Sequence, residues 1–303
     1  MNKARALFII LLLFCILCSF STGAQNEKIP SFRVNVDTVY VKVIVSDRFN
    51  HHVKGLEKEN FKIYEDNVEQ TISHFGSESA PISLGIIFDV SNSMGESGDI
   101  TFAKNCFNHL MKYGKPDSQD EYFLITFDHK VKITEDFTKN RGDIAYALAF
   151  PKTGGFTALY DAVYRGIDKI KEAKNEKKAL ILISDGEENK SRYSKKELME
   201  FIKESDVQIY SFGGSILRGG EFLGEISKLT GGRYFTFLGG IDKIEYCFNL
   251  IHADLRSQYI LGYVPSNSSR DGKWRKIQVK LDIPQSAQKL IIRAREGYYA
   301  PNR

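Results

Sequence analysis

Five oxygen-bearing side chains stand where an apolar segment ends or where a glycine-rich segment leads into a helix-like one. They are Asp89, Ser91, Ser93, Thr157 and Asp185. Two carboxylates and three hydroxyls form an all-oxygen donor set, which a hard divalent cation such as Mg²⁺ or Mn²⁺ prefers. Because the set contains no Cys or His, it argues against zinc. The sequence therefore predicts a magnesium-type site, formed if the fold brings these residues together.

The D-x-S-x-S spacing of Asp89, Ser91 and Ser93 suits a turn that leaves a strand, because alternate side chains of such a turn can reach a common point. A structural interpretation competes with this one. The two serines can cap the following helix, and Asp185 can cap its own turn. Each segment alone favours capping, whereas three segments at corresponding strand exits together favour a metal site.

The enzymatic alternative is a phosphatase of the haloacid dehalogenase type, which also places an aspartate at the end of its first parallel strand, in a D-x-D motif. Here Ser91 occupies the second acidic position, so the proton donor that the leaving group needs is missing. The motifs H-E-x-x-H, G-x-S-x-G and G-x-x-x-x-G-K-[ST] are also absent from the sequence. His51 and His52 lie in a predicted turn, where we expect a solvated loop. These features favour a binding protein over an enzyme.

The segment 81–256 alternates between strand-like and helix-like stretches. Strands are predicted at 82–89, 121–127, 178–184, 207–212 and 233–237. Helices are predicted at 100–113, 143–150, 158–174, 195–204, 221–229 and 242–255. This alternation predicts an α/β fold with a doubly wound, mostly parallel sheet and helices on both faces. In such a sheet ligands bind beyond the carboxyl ends of the strands, where the five candidate residues lie.

Both ends of the chain are β-rich. Strands are predicted before the α/β region at 32–46, 61–64 and 69–75, and after it at 258–265, 274–283 and 289–295. An independently stable sheet needs at least about three well-covered strands, which neither end supplies alone. We therefore expect 25–80 to pair with 257–303 in one sandwich-like domain; two separate small appendages are the alternative.

The first 24 residues have the features of a secretory signal peptide. Lys3 and Arg5 precede an uncharged, mostly apolar run at 6–20, which ends in small residues before a predicted cleavage site after Ala24. A retained anchor is the alternative, but this run is shorter than the ~20 residues that span a bilayer. The sequence therefore predicts a secreted, periplasmic or envelope protein without a membrane span in its mature chain.

The composition is that of an ordinary folded chain. Of the 303 residues, 42% are hydrophobic and 26% are charged, which excludes a disordered or multi-span membrane protein. The 42 basic and 38 acidic residues give a net charge of +4, and no block of like charges concentrates it. Nucleic acid is therefore not an expected partner.

The turn from Asp89 to Ser93, together with Thr157 and Asp185, resembles the metal-ion-dependent adhesion site (MIDAS) of von Willebrand factor type A (VWFA) domains. This resemblance covers roughly residues 82–255. Over nearly the whole mature chain, the sequence resembles the bacterial secreted "VWFA-related" family best known from Acidobacteria. The segments that carry the wider resemblance are VIVSDRFNHHVKGLEKENFKIYEDN, GGFTALYDAV, LISDGEEN, LRSQYILGYVPSN and REGYYAP.

The resemblance implies a role for each residue of the site. Ser91 and Ser93 would contact the metal directly, and Thr157 directly or through water. Asp89 and Asp185 would act mostly through water. A remaining coordination position would accept a carboxylate from a protein partner. The sequence departs from the family pattern at Phe156, which separates the paired glycines from Thr157, so we expect that loop to sit slightly differently and its ligand role to be the weakest part of the resemblance.

The resemblance also implies that the helices carrying Cys106 and Cys247 lie side by side. A disulfide and two buried free thiols are both open at this point. Taken together, the features predict a secreted, metal-dependent binding or adhesion protein that captures an acidic group of a protein partner. The principal alternative is a structural, envelope-associated module whose metal site is vestigial.

Overall fold

The computed structural model describes residues 38–76, 80–96, 100–101, 105, 117–149, 151–214, 219–236, 240–283 and 289–302. The predicted signal peptide and Cys106 lie outside these residues, so a Cys106–Cys247 disulfide and two free thiols both stay open; Cys247 itself is buried. In the described part of the chain, no helix is both long enough and apolar enough to span a bilayer.

The strands of the structure follow one another along the whole described chain. In chain order they are β1 (Val39–Ser46), β2 (Phe61–Glu65), β3 (Val68–Gln70), β4 (Ile72–Gly76), β5 (Ile82–Asp89), β6 (Glu121–Phe127), β7 (Val131–Thr138), β8 (Lys177–Ile183), β9 (Gln208–Gly213), β10 (Tyr234–Thr236), β11 (Tyr259–Tyr263), β12 (Trp274–Leu281), β13 (Ile291–Arg293) and β14 (Gly297–Tyr299).

The helices lie between the strands of the α/β region. They are α1 (Asn92–Glu96), α2 (Arg141–Ala147), α3 (Leu159–Ile170), α4 (Lys195–Glu204), α5 (Glu221–Leu229) and α6 (Gly240–Arg256), and a short 3₁₀ helix covers Lys58–Asn60. Helix α4 begins at a capping box, in which the Ser194 hydroxyl accepts a bond from the Glu197 amide and the Glu197 carboxylate accepts one from the Ser194 amide. Such reciprocal caps fix where a helix starts.

Six strands form the central sheet, in the order β10-β9-β8-β5-β6-β7. Strand β7 pairs antiparallel with β6 at one edge, and the other neighbouring pairs are parallel. Helices α3, α4 and α5 contribute to the apolar core on one face, and α2 and α6 contribute to the core on the other. The predicted doubly wound, mostly parallel α/β fold is confirmed.

Strand β5 lies in the middle of this sheet, between β8 and β6. All eight of its residues are buried. Ile86 and Phe88 belong to the core on one face, and Ile87 belongs to the core on the other. Burial on both faces explains the nearly continuous apolar run, since each large buried side chain contributes about 1.5–3 kcal/mol. Asp89, the last residue of β5, therefore emerges at the centre of the carboxyl edge of the sheet.

Strands from both ends of the chain form two further sheets, β13-β1-β11-β4 and β14-β12-β2-β3. Each sheet mixes the two ends: Val41 lies opposite Leu261, and Ile63 lies opposite Val279. Apolar side chains from both sheets share one core. The sandwich formed by both ends is thus confirmed, whereas the division of the chain at residues 80 and 256 remains a proposal.

A buried ionic cluster joins the α/β region to both ends of the chain. Asp254 of α6 is fully buried and accepts hydrogen bonds from Arg233 (2.6 Å, Nε to Oδ2) and Arg293 (2.9 Å, Nη2 to Oδ1). The Nε2 atom of His52 lies 2.6 Å from Oδ1. Burial raises the pKa of Asp254, but the bonds from His52 and Arg233 and the arginine charges outweigh it, so the pKa lies below its ordinary value.

The expectation of a solvated loop at His51 and His52 is wrong for the second histidine. The His51 side chain is 81% exposed, but the His52 side chain is only 8% exposed. The backbone of His52 pairs with Ser46 in an isolated bridge, and its ring contacts Asp254. This histidine is part of the ionic cluster.

Two strand predictions also differ from the structure. The predicted strand 69–75 is two strands, β3 and β4, in different sheets. The side-chain amide of Gln70, the last residue of β3, donates a hydrogen bond to the hydroxyl of Ser266 at 2.9 Å. This bond fixes the point at which β3 ends. Strand β7 has no predicted counterpart, because its apolar residues are only partly buried and the pattern is weak. The predicted helix at 100–113 lies almost entirely outside the described residues.

Candidate metal site

The first loop of the candidate site is the turn between β5 and α1. Asp89 is fully buried there, and both of its carboxylate oxygens accept hydrogen bonds. Oδ1 accepts the amide of Ser91 at 2.8 Å, and Oδ2 accepts the hydroxyl of Ser184 at 2.6 Å. Asp89 thus fixes the turn that follows it and joins that turn to the end of β8.

The two serines of this turn have neighbouring hydroxyls. The Oγ atoms of Ser91 and Ser93 lie 3.2 Å apart. Ser91 is fully buried and Ser93 is half-buried, and the buried side chain of Met94 packs α1 into the core below them. The structure therefore brings together the three residues of the D-x-S-x-S motif.

The second loop precedes α3 and contains the paired glycines. The amide of Gly154 donates to the carbonyl of Val90 at 2.9 Å, and the amide of Asn92 donates to the carbonyl of Gly155 at 3.2 Å. These two bonds join the second loop to the first. Gly155 has φ +78°, and a Cβ atom there would lie 2.4 Å from Nδ1 of His129, so a side chain at this position would strain the loop.

Thr157 joins the second loop to the third, which follows β8. Its amide donates to Oδ1 of Asn189 at 2.9 Å, and its carbonyl accepts the amides of Asn189 and Lys190, each at 3.0 Å. The Thr157 side chain is buried. The structure thus places Thr157 on a loop that is bonded on both sides to the other two loops.

Asp185 lies in the third loop, directly after Ser184, whose hydroxyl contacts Asp89. One carboxylate oxygen, Oδ1, accepts the amide of Glu187 at 3.0 Å. Ser184 bridges the two loops, because its hydroxyl donates to Asp89 and accepts the amide of Gly186 at 3.0 Å. Asp185 is close enough to Asp89 for its charge to raise the pKa of that residue.

The electrostatics of the site are dominated by an uncompensated carboxylate. Burial raises the pKa of Asp89 to about 7, and the neighbouring charge of Asp185 adds to this effect, while bonds from Ser184 and Ser91 oppose it. Among the described residues, no Lys, Arg or His side chain forms an ion pair with Asp89. The site therefore favours an added positive charge.

The donor set fits a hard cation. In the described part of the chain, no group of three or more His, Cys, Asp or Glu side chains is arranged to hold a metal ion. The candidate ligands here are two carboxylates and three hydroxyls, all oxygen donors. This chemistry suits Mg²⁺ or Mn²⁺ and does not suit zinc.

Two residues that support the site are not predicted from the sequence. Ser184 positions Asp89, and Asn189 fixes the backbone of Thr157 through both its side chain and its amide. The sequence offers a weak signal for the first, because Ser184 stands next to Asp185 at the end of a predicted strand. It offers none for Asn189, whose role depends on contact between two loops.

The chain is similar to a known protein family and to several solved structures. Residues 84–188 match the family model of the von Willebrand factor type A domain. A von Willebrand factor type A protein from Catenulispora acidiphila matches with a TM-score of 0.51 and 11% identity, over 89% of this chain and 74% of that chain. BatB from Bacteroides thetaiotaomicron matches with a TM-score of 0.46 and 16% identity, over 58% of this chain and 100% of that chain.

A third similar structure is the vWF domain of the type V pili tip protein Mfa5 from Porphyromonas gingivalis, with a TM-score of 0.45 and 13% identity, over 57% of this chain and 94% of that chain. No curated protein matches the chain. At 11% identity the Catenulispora acidiphila structure bears on the fold alone. The family match covers strands β5 to β8 and contains all five candidate residues. Residues 84–188, which include all five candidate residues, are therefore similar to a von Willebrand factor type A domain.

Proposed function

We propose that the protein is a non-enzymatic binding protein that captures a protein partner through a divalent cation at the carboxyl edge of its central sheet. The observation that carries this proposal is the setting of Asp89. It is a fully buried carboxylate with neutral hydrogen-bond donors, and a second carboxylate, Asp185, lies nearby. Burial of such a charge is costly unless a cation compensates it. Mg²⁺ or Mn²⁺ is the cation that this oxygen-rich set would take.

The five candidate residues have two kinds of role in this proposal. Ser91, Ser93 and Thr157 would hold the cation through hydroxyl oxygens. Asp89 and Asp185 would stand behind them and orient water and the serine turn. When bound, the cation supplies a Lewis-acidic position for a carboxylate oxygen. Because the direct ligands are neutral hydroxyls and the carboxylates stand behind them, the cation would keep residual positive charge, and the site would select an acidic side chain of the partner.

The proposed location rests on the sequence of residues 1–24. The features of residues 1–24 support export and cleavage after Ala24, so the protein would act outside the cytoplasm or in the cell envelope. The sandwich formed by 25–80 and 257–303 would carry the domain at 81–256. The two ends of the chain pair with each other in that sandwich, and the ionic cluster of Asp254 ties both to the domain.

The main rival is a structural, envelope-associated module whose site has lost its metal. A thermal-shift titration of the purified protein with Mg²⁺ or Mn²⁺ separates the two, because a functional site raises the Tm of wild type and not that of Asp89→Ala. Immobilised wild type should then retain extracellular proteins in Mg²⁺ and release them in EDTA. An unchanged Tm, together with equal retention of extracellular proteins in Mg²⁺ and in EDTA, would contradict the proposal.

A further inference from the structure

Phe156 is an exposed aromatic residue next to the candidate metal site. Its surface is 63% exposed, whereas the two residues that follow it, Thr157 and Ala158, are each only 2% exposed. Burial of a phenylalanine ring ordinarily stabilises a protein by a few kcal/mol. An exposed ring at the rim of a binding site therefore needs an explanation, because aromatic side chains are enriched at the centres of interfaces.

Hydrogen bonds fix the backbone on both sides of Phe156. Gly154 and Gly155 are bonded to the β5–α1 turn, and the amide of Ala158 donates to the carbonyl of Asp128 at 2.7 Å. Thr157 is bonded to the third loop through both its amide and its carbonyl. Every residue adjoining Phe156 is thus fixed by other parts of the structure. A ring presented on such a loop loses little conformational freedom when it binds a partner.

The surroundings of the ring combine apolar surface with positive charge. The ammonium group of Lys190 lies 5.8 Å from the centroid of the Phe156 ring, and Lys190 is exposed. The backbone of Lys190 is bonded to the carbonyl of Thr157. An acidic ligand that approaches Thr157 would therefore meet a cation and an aromatic face on the same side of the site.

The spacing suits neighbouring residues of one extended ligand. Phe156 directly precedes Thr157, so their Cα atoms are about 3.8 Å apart. An extended peptide advances by about 3.3 Å for each residue. A ligand whose acidic side chain is bound by the cation beside Thr157 would therefore place a residue one or two positions away within reach of the Phe156 ring.

We propose that Phe156 is a specificity-determining residue, which selects partners that carry a large apolar side chain within two positions of the captured acidic residue. This inference rests on the proposed function, since it assumes capture of a carboxylate at the same site. The occupant is an exposed protein segment of that composition. Phe156 adds apolar contact area, and the acidic residue supplies the charge.

Phe49 provides a matched control for this residue. It is 62% exposed, and the guanidinium of Arg48 lies 4.8 Å from its ring centroid, so it shares the exposure and the neighbouring cation of Phe156. It lies in the β1–β2 connection of the sandwich, away from the candidate site. Phe156→Ser and Phe49→Ser therefore remove equivalent rings, and only the first removal affects the proposed contact.

The test is selection of a displayed peptide library with one central aspartate and randomised flanking positions, on the full-length protein in Mg²⁺ and in EDTA. We expect Mg²⁺-dependent retention, with large apolar residues enriched within two positions of the aspartate. Phe156→Ser should lose that enrichment and bind the best peptide at least about tenfold more weakly, with unchanged Mg²⁺ affinity by calorimetry. Phe49→Ser should match wild type.

The outcomes separate the inference from the proposed function. Mg²⁺-dependent retention without apolar enrichment, or enrichment that survives in Phe156→Ser, would overturn the role of Phe156 and leave carboxylate capture standing. Retention that is equal in Mg²⁺ and EDTA, or absent from both, would contradict carboxylate capture itself and the inference with it. Equal losses in both variants would show a general effect of removing surface rings, and would also overturn the inference.

Discussion

Two fully buried aspartates lie at opposite edges of the central sheet and differ in their partners. Asp89, at the carboxyl edge, accepts bonds from a hydroxyl and an amide, and its pKa is raised to about 7. Asp254, at the amino edge, contacts two arginines and a histidine, and its pKa is lowered. Burial raises the pKa of both, so the difference comes from their neighbours.

This comparison separates a structural carboxylate from a candidate functional one. The negative charge of Asp254 is compensated by side chains from both ends of the sequence and from the α/β region. It leaves Asp89 beside hydroxyls and a second carboxylate, an arrangement that repels further negative charge and favours a cation. Buried groups with unusual surroundings of this kind are candidates for functional sites.

The largest difference should appear in stability when each carboxylate is neutralised. We expect Asp254→Asn to lower the free energy of unfolding by about 3–5 kcal/mol, because Arg233 and Arg293 would remain largely buried without their counter-charge. Asp89→Asn should not lower it in EDTA, because removing an uncompensated buried charge relieves its desolvation cost. Urea denaturation at pH 7.5 measures both.

Asp168 is a control for the loss of a carboxylate as such. Its side chain is 46% exposed and pairs with Arg165 on the surface of α3, so Asp168→Asn should change stability by less than about 1 kcal/mol. If Asp89→Asn destabilised the metal-free protein as much as Asp254→Asn, the contrast between the two sites would be wrong.

The second difference lies within the candidate site, between its two carboxylates. Asp89 orients the serine turn and holds Ser184, whereas Asp185 accepts a bond from the next segment of its own loop. We expect Asp89→Ala to weaken Mg²⁺ binding by about 10–100-fold and Asp185→Ala to weaken it less. Calorimetry on both variants gives the ranking, and a greater loss at position 185 would reverse it.

A smaller effect is expected near Asp254, where the side chains of Lys177, Arg256 and Lys42 lie close enough to influence one another. Lys177 is buried there, with Nζ 3.2 Å from the carbonyl of Leu255. Burial, and then the charges of Arg256 and Lys42, lower its pKa from 10.5 to about 8. Between these values the unfolded chain binds more protons than the folded chain, so stability should rise with pH, by about 1.5 kcal/mol from pH 8 to 9.5.

Lys177→Met should abolish most of that rise, because the variant has no buried ammonium group to deprotonate. Urea denaturation of both proteins at pH 8 and 9.5 measures the change. A rise of the same size in Lys177→Met would show that other groups cause it.

The sequence predicts those parts of the fold whose burial is complete. The apolar run at 82–89 coincides with β5, and the segment 121–127 coincides with β6, because a two-faced core demands continuous apolar residues. The sequence does not predict strand β7 or the break between β3 and β4. Their residues are only partly buried, and their places depend on pairing with distant parts of the chain.

The candidate site is predictable by residue type but not by its supporting contacts. The D-x-S-x-S spacing and the strand ends select Asp89, Ser91 and Ser93, which the structure places together. The bond from Ser184 to Asp89 spans 95 residues, and the contact between Asn189 and Thr157 joins two loops. Neither follows from local pattern, because each depends on how the loops meet after folding.

The most direct test of the cation site at Asp89 is a calorimetric titration of the metal-free protein with Mg²⁺, comparing wild type, Asp89→Asn and Asp168→Asn. We expect one saturable site in wild type and in the surface variant Asp168→Asn, and strongly weakened or lost binding in Asp89→Asn, with all three proteins folded in EDTA. Saturable binding that is identical in wild type and Asp89→Asn, or no binding by wild type at millimolar Mg²⁺, would contradict a cation site built around Asp89.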